Sequence, residues 1–99
     1  MTTGSAADAG GPVYRARLTG RAQRALAKLP PRVTEPLVAF VFGSLAEAPK
    51  TRGRPLRNEL AGYWSARRGD YRIIYTIDDD QVLIYVIDVA RRAHPYRPR

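Results

Sequence analysis

The sequence predicts an α+β fold in which an N-terminal strand and a two-helix hairpin pack on a mainly antiparallel four-stranded sheet. Three observations predict it. The apolar period lengthens near Thr19 from that of a strand to that of a helix, Pro30 and Pro31 divide the helical stretch, and beyond Gly62 strand-like runs follow one another with only short turns between them. Turns that short leave no room for crossover helices, so these strands pair antiparallel and the helices must cover one face of their sheet.

Residues 1–12 read as a disordered leader, and residues 13–99 as one domain, because a chain of 99 residues buries a single modest core. In VYRARLT, Val13, Arg15 and Arg17 alternate with Tyr14, Ala16 and Leu18, the pattern of a half-buried strand. From a cap at Thr19 or Gly20, the residues Ala22, Ala25, Leu26 and Leu29 recur at helical spacing until the two prolines stop the helix. The second helix carries Val33, Leu37, Phe40, Val41 and Leu45 on one broad face. Pro36 suits it if Thr34 is the cap and is awkward if the helix begins earlier. PKTRGRPLRNELAG is a long basic loop without the periodicity of a strand or helix. The sheet then follows as YWSARR, a turn at Gly69 and Asp70, YRIIYTI, a turn in DDDQ, and VLIYVIDVA.

Alternation sorts the strand side chains, provided no bulge intervenes. Trp64, Ala66, Ile73, Tyr75, Ile77, Leu83, Tyr85, Ile87 and Val89 face the helices. Tyr63, Ser65, Arg67, Arg72, Ile74, Thr76, Ile84, Val86, Asp88, Ala90 and Arg92 face away. Arg67, Arg72 and Arg92 therefore gather on one face. A lone surface arginine is an ordinary solvated charge, but several brought together repel, and an anion held between them relieves the repulsion. Phosphate suits the position, because the planar guanidinium fork matches its oxygens bidentately. Lys50, Arg52, Arg54 and Arg57 of the basic loop supply one wall. The C-terminal run ARRAHPYRPR, leaving the last strand at Arg91 and Arg92, supplies the other.

Composition agrees with a polyanion as partner. Lys and Arg number 17 against 9 Asp and Glu, a net charge of +8, and such a field attracts nucleic acid, anionic membrane or an acidic protein. All of these cations but Lys28 and Lys50 are arginine, which codon bias can explain; it does not explain the excess of positive charge. No apolar stretch approaches the ~20 residues of a membrane helix, and the N-terminus lacks the basic start and apolar segment of a signal peptide, so a cytoplasmic address is expected. With no cysteine, disulfides, thiol nucleophiles and cysteine zinc sites are excluded together.

The hairpin followed by GRPLRNELAGYWSARRGDYRIIY and VIDVARRAHPYR resembles the RelE/ParE superfamily of toxin proteins, and within it the RelE branch, over nearly all of residues 13–97. The run from Pro55 and Leu56 through Leu60, Gly62 and Trp64 to Gly69, Tyr71, Arg72 and Tyr75 carries most of the likeness. The resemblance implies a RelE-like toxin domain and a ribosome-dependent mRNA endonuclease of a type II toxin-antitoxin pair. Such an enzyme works without a cofactor or metal and is silenced by a RelB-like antitoxin. Its partners are the ribosome and mRNA, no membrane is involved, and operator DNA is reached only through the antitoxin complex. The family's phosphate-handling arginine on the third strand matches Arg72, its arginine after the last strand matches Arg92, and its C-terminal tyrosine best matches Tyr96. These are the expected catalytic residues. Arg54, Arg57, Arg67, Arg68, Arg91 and His94 are the expected RNA contacts. The lysine pair of some members falls on Tyr63 and Ser65, and the glutamate of others on Arg54, so the general base has no assignment.

Cleavage of RNA by its own 2′-hydroxyl needs a base for that proton, cations for the charge gathering on phosphorus oxygens, and an acid for the leaving 5′-oxygen. Arg72 and Arg92 suit the second task and cannot act as bases at neutral pH. Tyr96 can stack on a base, move a proton if nearby arginines lower its pKa, or simply dock on the body of the protein. His94 is the only side chain whose ordinary pKa lies near neutrality, although a single histidine in a basic tail is commonly incidental. Two other functions fit the same chain: a ParE-like inhibitor of DNA gyrase without nuclease activity, and a degenerate member that only binds antitoxin and operator DNA.

Overall fold

The computed structural model describes residues 12–92, so His94 and Tyr96 lie outside the described residues. The chain runs β1 (Arg15–Leu18), α1 (Gly20–Ala27), α2 (Pro31–Phe40), a π-helical segment (Val41–Leu45), α3 (Pro49–Arg52), β2 (Arg54–Pro55), a 3₁₀ turn (Asn58–Leu60), β3 (Trp64–Arg68), β4 (Tyr71–Asp78) and β5 (Leu83–Arg91). The sheet order is β1-β5-β4-β3-β2. β1 lies parallel to β5 and the remaining pairs are antiparallel.

This is the expected α+β architecture with one strand more. Arg54 and Pro55 pair with Ser65 and Trp64, so the basic loop contributes a two-residue edge strand. The same loop opens with the single turn of α3, whose Thr51 and Arg52 N–H groups both donate to the Ala48 carbonyl. Elements this short need no apolar repeat. They take their order from neighbours already in place, which is why periodicity did not announce them.

Both helices begin as their sequences dictate. The Thr19 hydroxyl accepts from the Ala22 N–H at 3.2 Å and donates to the Ile87 carbonyl at 3.0 Å, capping α1 and fastening it to β5. α2 opens on Pro31, in the first turn where the missing N–H costs nothing. It therefore starts earlier than a Thr34 cap would allow, and Pro36 stands inside the helix at the cost of one ladder bond. Ala22, Leu37, Val41 and Leu45 meet Ala66, Ile73 and Tyr75 in the core, as the periodicity predicts.

On β5 the expected facing is only half right. Ile73 and Ile74 of β4 pair with Val89 and Asp88, but Tyr75 pairs with Val86, leaving Ile87 as a bulge. A bulge inserts one residue and reverses the alternation on its far side. Thus Val89 faces the helices as expected, whereas Ile84 and Val86, expected outside, lie in the core at 0 % exposure. Tyr85, expected inside, is exposed, and Leu83 is buried outside the main core cluster. Ile74, expected to face out, is also fully buried apart from that cluster. Among the described residues no helix is long and apolar enough to cross a membrane.

Candidate active site

Strand register builds the site. Arg72 on β4 stands opposite Arg67 on β3 and opposite Ala90 on β5, and directly opposed strand residues place their Cβ atoms about 5 Å apart. The two arginines therefore leave the sheet side by side, and both line one cleft. The chain then folds back beyond β5. The Arg92 N–H donates to the Asp70 carbonyl at 2.8 Å, and its guanidinium Nη1 donates to the Gly69 carbonyl at 3.4 Å. Arg72 completes the junction by donating from Nη2 to the Arg92 carbonyl at 3.1 Å. Arg67, Asp70, Arg72, Arg91 and Arg92 line the resulting open cleft of about 540 Å³.

A second cleft of about 530 Å³ shares Arg67 and Arg72 and is walled by Arg52, Gly53, Arg54 and Ser65. The basic loop thus forms a wall, as its charge suggested, through Arg52 and Arg54. Its position depends on Tyr75, whose buried hydroxyl donates to the Pro49 carbonyl at 2.6 Å. Burial pushes the Tyr75 hydroxyl far above the usual tyrosine range, so it remains a neutral donor. Gly53 crosses directly over that hydroxyl, and a Cβ there would run into Tyr75 Oη and approach the Ser65 carbonyl at 2.9 Å. Glycine is what lets the loop come this close.

Other cations are used elsewhere. Lys50 turns away from the clefts and donates to Asp79 Oδ2 at 2.9 Å, while the Tyr14 hydroxyl donates to Asp79 Oδ1 at 2.6 Å. Those two bonds hold the Asp79 carboxyl below its usual range, and the same carboxylate raises the pKa of Tyr14 and of Lys50. Arg57 lines neither cleft. Arg68 lies on the helix side, its guanidinium 5.5 Å from the centroid of the Phe40 ring. Of the expected site residues, then, the fold brings together Arg54, Arg67, Arg72, Arg91 and Arg92. It adds Asp70 and Ser65, which charge alone did not single out. For Asp70 the signal was present: a carboxylate in the turn joining two strands that each carry a site arginine. Among the described residues no group of three or more His, Cys, Asp or Glu could hold a metal ion.

With the cleft in place, comparison with known proteins decides the family. The sequence model described as the ParE toxin of the type II toxin-antitoxin system parDE matches residues 16–96. Toxin RelG of Mycobacterium tuberculosis is 49 % identical over 84 residues, covering 85 % of this chain and 97 % of that protein. The chain belongs to the RelE/ParE superfamily of type II toxins, in its RelE branch. Toxin RelE of the same organism is 46 % identical over 84 residues, which are 85 % of this chain and 87 % of that toxin. The crystal structure of the toxin-antitoxin complex RelBE2 of M. tuberculosis superimposes on this chain with a TM-score of 0.79 at 47 % identity, covering 82 % of this chain and all of that one. The family match thus takes in all of β2 to β5, the strands that carry the cleft arginines of this RelE-branch toxin.

Proposed function

We propose that this toxin cleaves messenger RNA on the ribosome, in the manner its RelE-branch membership suggests. The observation that carries the reading is the convergence of Arg67, Arg72 and Arg92 on one open cleft. The RNA 2′-hydroxyl gives up its proton as its oxygen attacks phosphorus, the bond to the 5′-oxygen breaks and that oxygen takes a proton from water, leaving a 2′,3′-cyclic phosphate and a free 5′-hydroxyl. Negative charge grows on the non-bridging oxygens along the way, and Arg72 and Arg92 are the groups that meet it. Arg72 is pre-positioned by its bond to the Arg92 carbonyl, so little reorganisation accompanies the reaction. Asp70 is the carboxylate in the same cleft and can accept a proton. Placement of the nucleotide by the ribosome supplies the orientation on which the rate depends.

The toxin acts in the cytoplasm, where ribosomes are, and its silencing partner is a RelB-like antitoxin. The net charge of +8 and the relative solved as a toxin-antitoxin complex both support that partner. A second reading, gyrase inhibition without chemistry, is favoured by the matching family's description as a ParE toxin. Induced expression separates the two. Mapping mRNA 5′ ends is expected to reveal breaks at fixed codon positions that vanish in Arg72→Ala and Arg92→Ala. Intact message with altered plasmid supercoiling would replace this reading by the second.

A further inference from the structure

The proposed reaction begins with loss of the 2′-hydroxyl proton, and few groups in the two clefts can take it. Their arginines keep their own protons at neutral pH, and the hydroxyls of Thr51 and Ser65 are weak bases. Among the described lining residues, Asp70 alone carries a side chain that accepts a proton readily. We infer that Asp70 is the general base of the reaction. The inference rests on the nuclease reading proposed above and names the residue that starts its chemistry.

Local structure holds this carboxylate in place. Arg68 pairs with Tyr71 across the β3–β4 hairpin, so Gly69 and Asp70 make a two-residue turn. Gly69 has a φ of 60° and Asp70 is not among the residues of positive φ, the pattern of a II′ turn. Such a turn requires glycine first and accepts Asn, Ser or Asp second, so the backbone asks for no carboxylate at position 70. Arg92 then clamps the turn, its N–H donating to the Asp70 carbonyl at 2.8 Å and its Nη1 to the Gly69 carbonyl at 3.4 Å. Asp70 is thus fastened through its backbone to one arginine that meets the phosphoryl charge and lies next but one in sequence to the other, Arg72. The ion pairs among the described residues, Arg21 with Asp88 and Lys50 with Asp79, do not include Asp70. Its oxygens are therefore not committed to the four arginines that share its cleft.

In the reaction an Asp70 oxygen takes the 2′ proton while O2′ bonds to phosphorus. The bond from phosphorus to O5′ breaks with its electron pair, and O5′ takes a proton from water. The proton released by Asp70 neutralises the hydroxide left behind, so the carboxylate is regenerated and no net proton is consumed. The same carboxylate opposes the hold of the cleft on phosphate, since it places a negative charge among cations. Removing it should therefore slow cleavage without weakening RNA. A residue that only shapes the cleft would lose both together.

The purified full-length toxin is compared with Asp70→Asn and Asp70→Ala in single-turnover cleavage on ribosomes programmed with a short messenger. Asn suits the second position of this turn, so Asp70→Asn is expected to fold, and Asp70→Ala leaves room for a small acid. Cleavage should fall ~10²-fold or more in both, while a fluorescein-labelled RNA oligonucleotide binds as tightly as to the wild type or more tightly. Added formate should restore part of the rate to Asp70→Ala and none to Arg72→Ala. A rate in Asp70→Asn within about threefold of the wild type would overturn the inference and move the base to a group such as His94 or Tyr96, which lie outside the described residues. Loss of cleavage with an equal loss of RNA binding, or a slow Asp70→Ala that formate leaves slow, would overturn it too. A wild type that leaves the messenger intact sinks the nuclease reading and this assignment with it; an active wild type matched by Asp70→Asn sinks the assignment alone.

Discussion

Replacing Tyr75 with Phe removes one oxygen from a ring at 0 % exposure and leaves the buried Pro49 carbonyl without its donor. A buried hydrogen bond contributes about 1 kcal/mol net, and stranding its acceptor raises the cost to about 2 kcal/mol. For a domain of this size that corresponds to a fall in Tm of roughly 8–16 °C. Gly53→Ala attacks the same junction from the other side. Its new Cβ would overlap Tyr75 Oη, stand 2.9 Å from the Ser65 carbonyl and 3.0 Å from Tyr75 Cζ. None of these can yield cheaply, since the hydroxyl is hydrogen-bonded and the carbonyl belongs to β3, so overpacking costs about 1–3 kcal/mol. In the double variant the hydroxyl is absent and the worst overlap disappears. Gly53→Ala should then cost about 1 kcal/mol less than in the wild type, a coupling well outside simple additivity. Urea denaturation of the four proteins measures it, and RNA oligonucleotide binding should weaken in parallel because Arg52 and Arg54 ride on this loop. Additive effects within about 0.3 kcal/mol would refute the argument that Gly53 exists to clear that hydroxyl.

Arg72→Lys keeps the charge but loses the planar fork that donates to the Arg92 carbonyl, so single-turnover cleavage should still fall ~10-fold or more, whereas recovery to wild-type rate would mean that charge alone suffices. Val82 has a φ of 52°, in the left-handed region that a β-branched residue tolerates poorly; Val82→Gly should raise stability by about 1 kcal/mol in urea titrations, and a loss would show that its side chain packs more than it strains. The Asp79 cluster has a pH signature. Because the Asp79 pKa is depressed in the fold, its contribution is present above the ordinary aspartate pKa and disappears as pH falls through the lower native value. Tyr14 and Lys50 are shifted up, so their contribution is present below their ordinary values and is lost as pH rises through the native ones. The stability difference between wild type and Asp79→Asn should therefore be flat near neutrality and shrink at both extremes, remaining small throughout because these groups are exposed.

Much of this architecture was legible because long elements carry their own period. Ala22, Ala25, Leu26 and Leu29 announce α1, and Thr19 announces its cap, through side chains that act within one or two turns of the backbone. The parallel docking of β1 beside β5 was not legible, since Arg15–Leu18 reports which face is apolar and not which strand it joins. The same limit applies to the site. Charge named Arg54, Arg67, Arg72, Arg91 and Arg92, yet it could not separate them from Arg57, which lines neither cleft, or from Arg68, which lies over Phe40. Those two differ from the others only in where the backbone aims them.

That aim is set on β5 by a single residue. Ile84 and Val86 point into the core, and unbroken alternation from them would send Asp88, Ala90 and Arg92 to the helix side as well. The bulge at Ile87 absorbs one position, so Val89 points inward and Arg92 arrives beside Arg72. The Ile87 carbonyl, displaced from the regular ladder, is taken by the Thr19 hydroxyl that also caps α1. The first helix and the arginine cleft are therefore tied through one irregularity. A sheet without it could bury Ile84 and Val86 or deliver Arg92 to the cleft, but the strict two-residue period would not let the same strand do both.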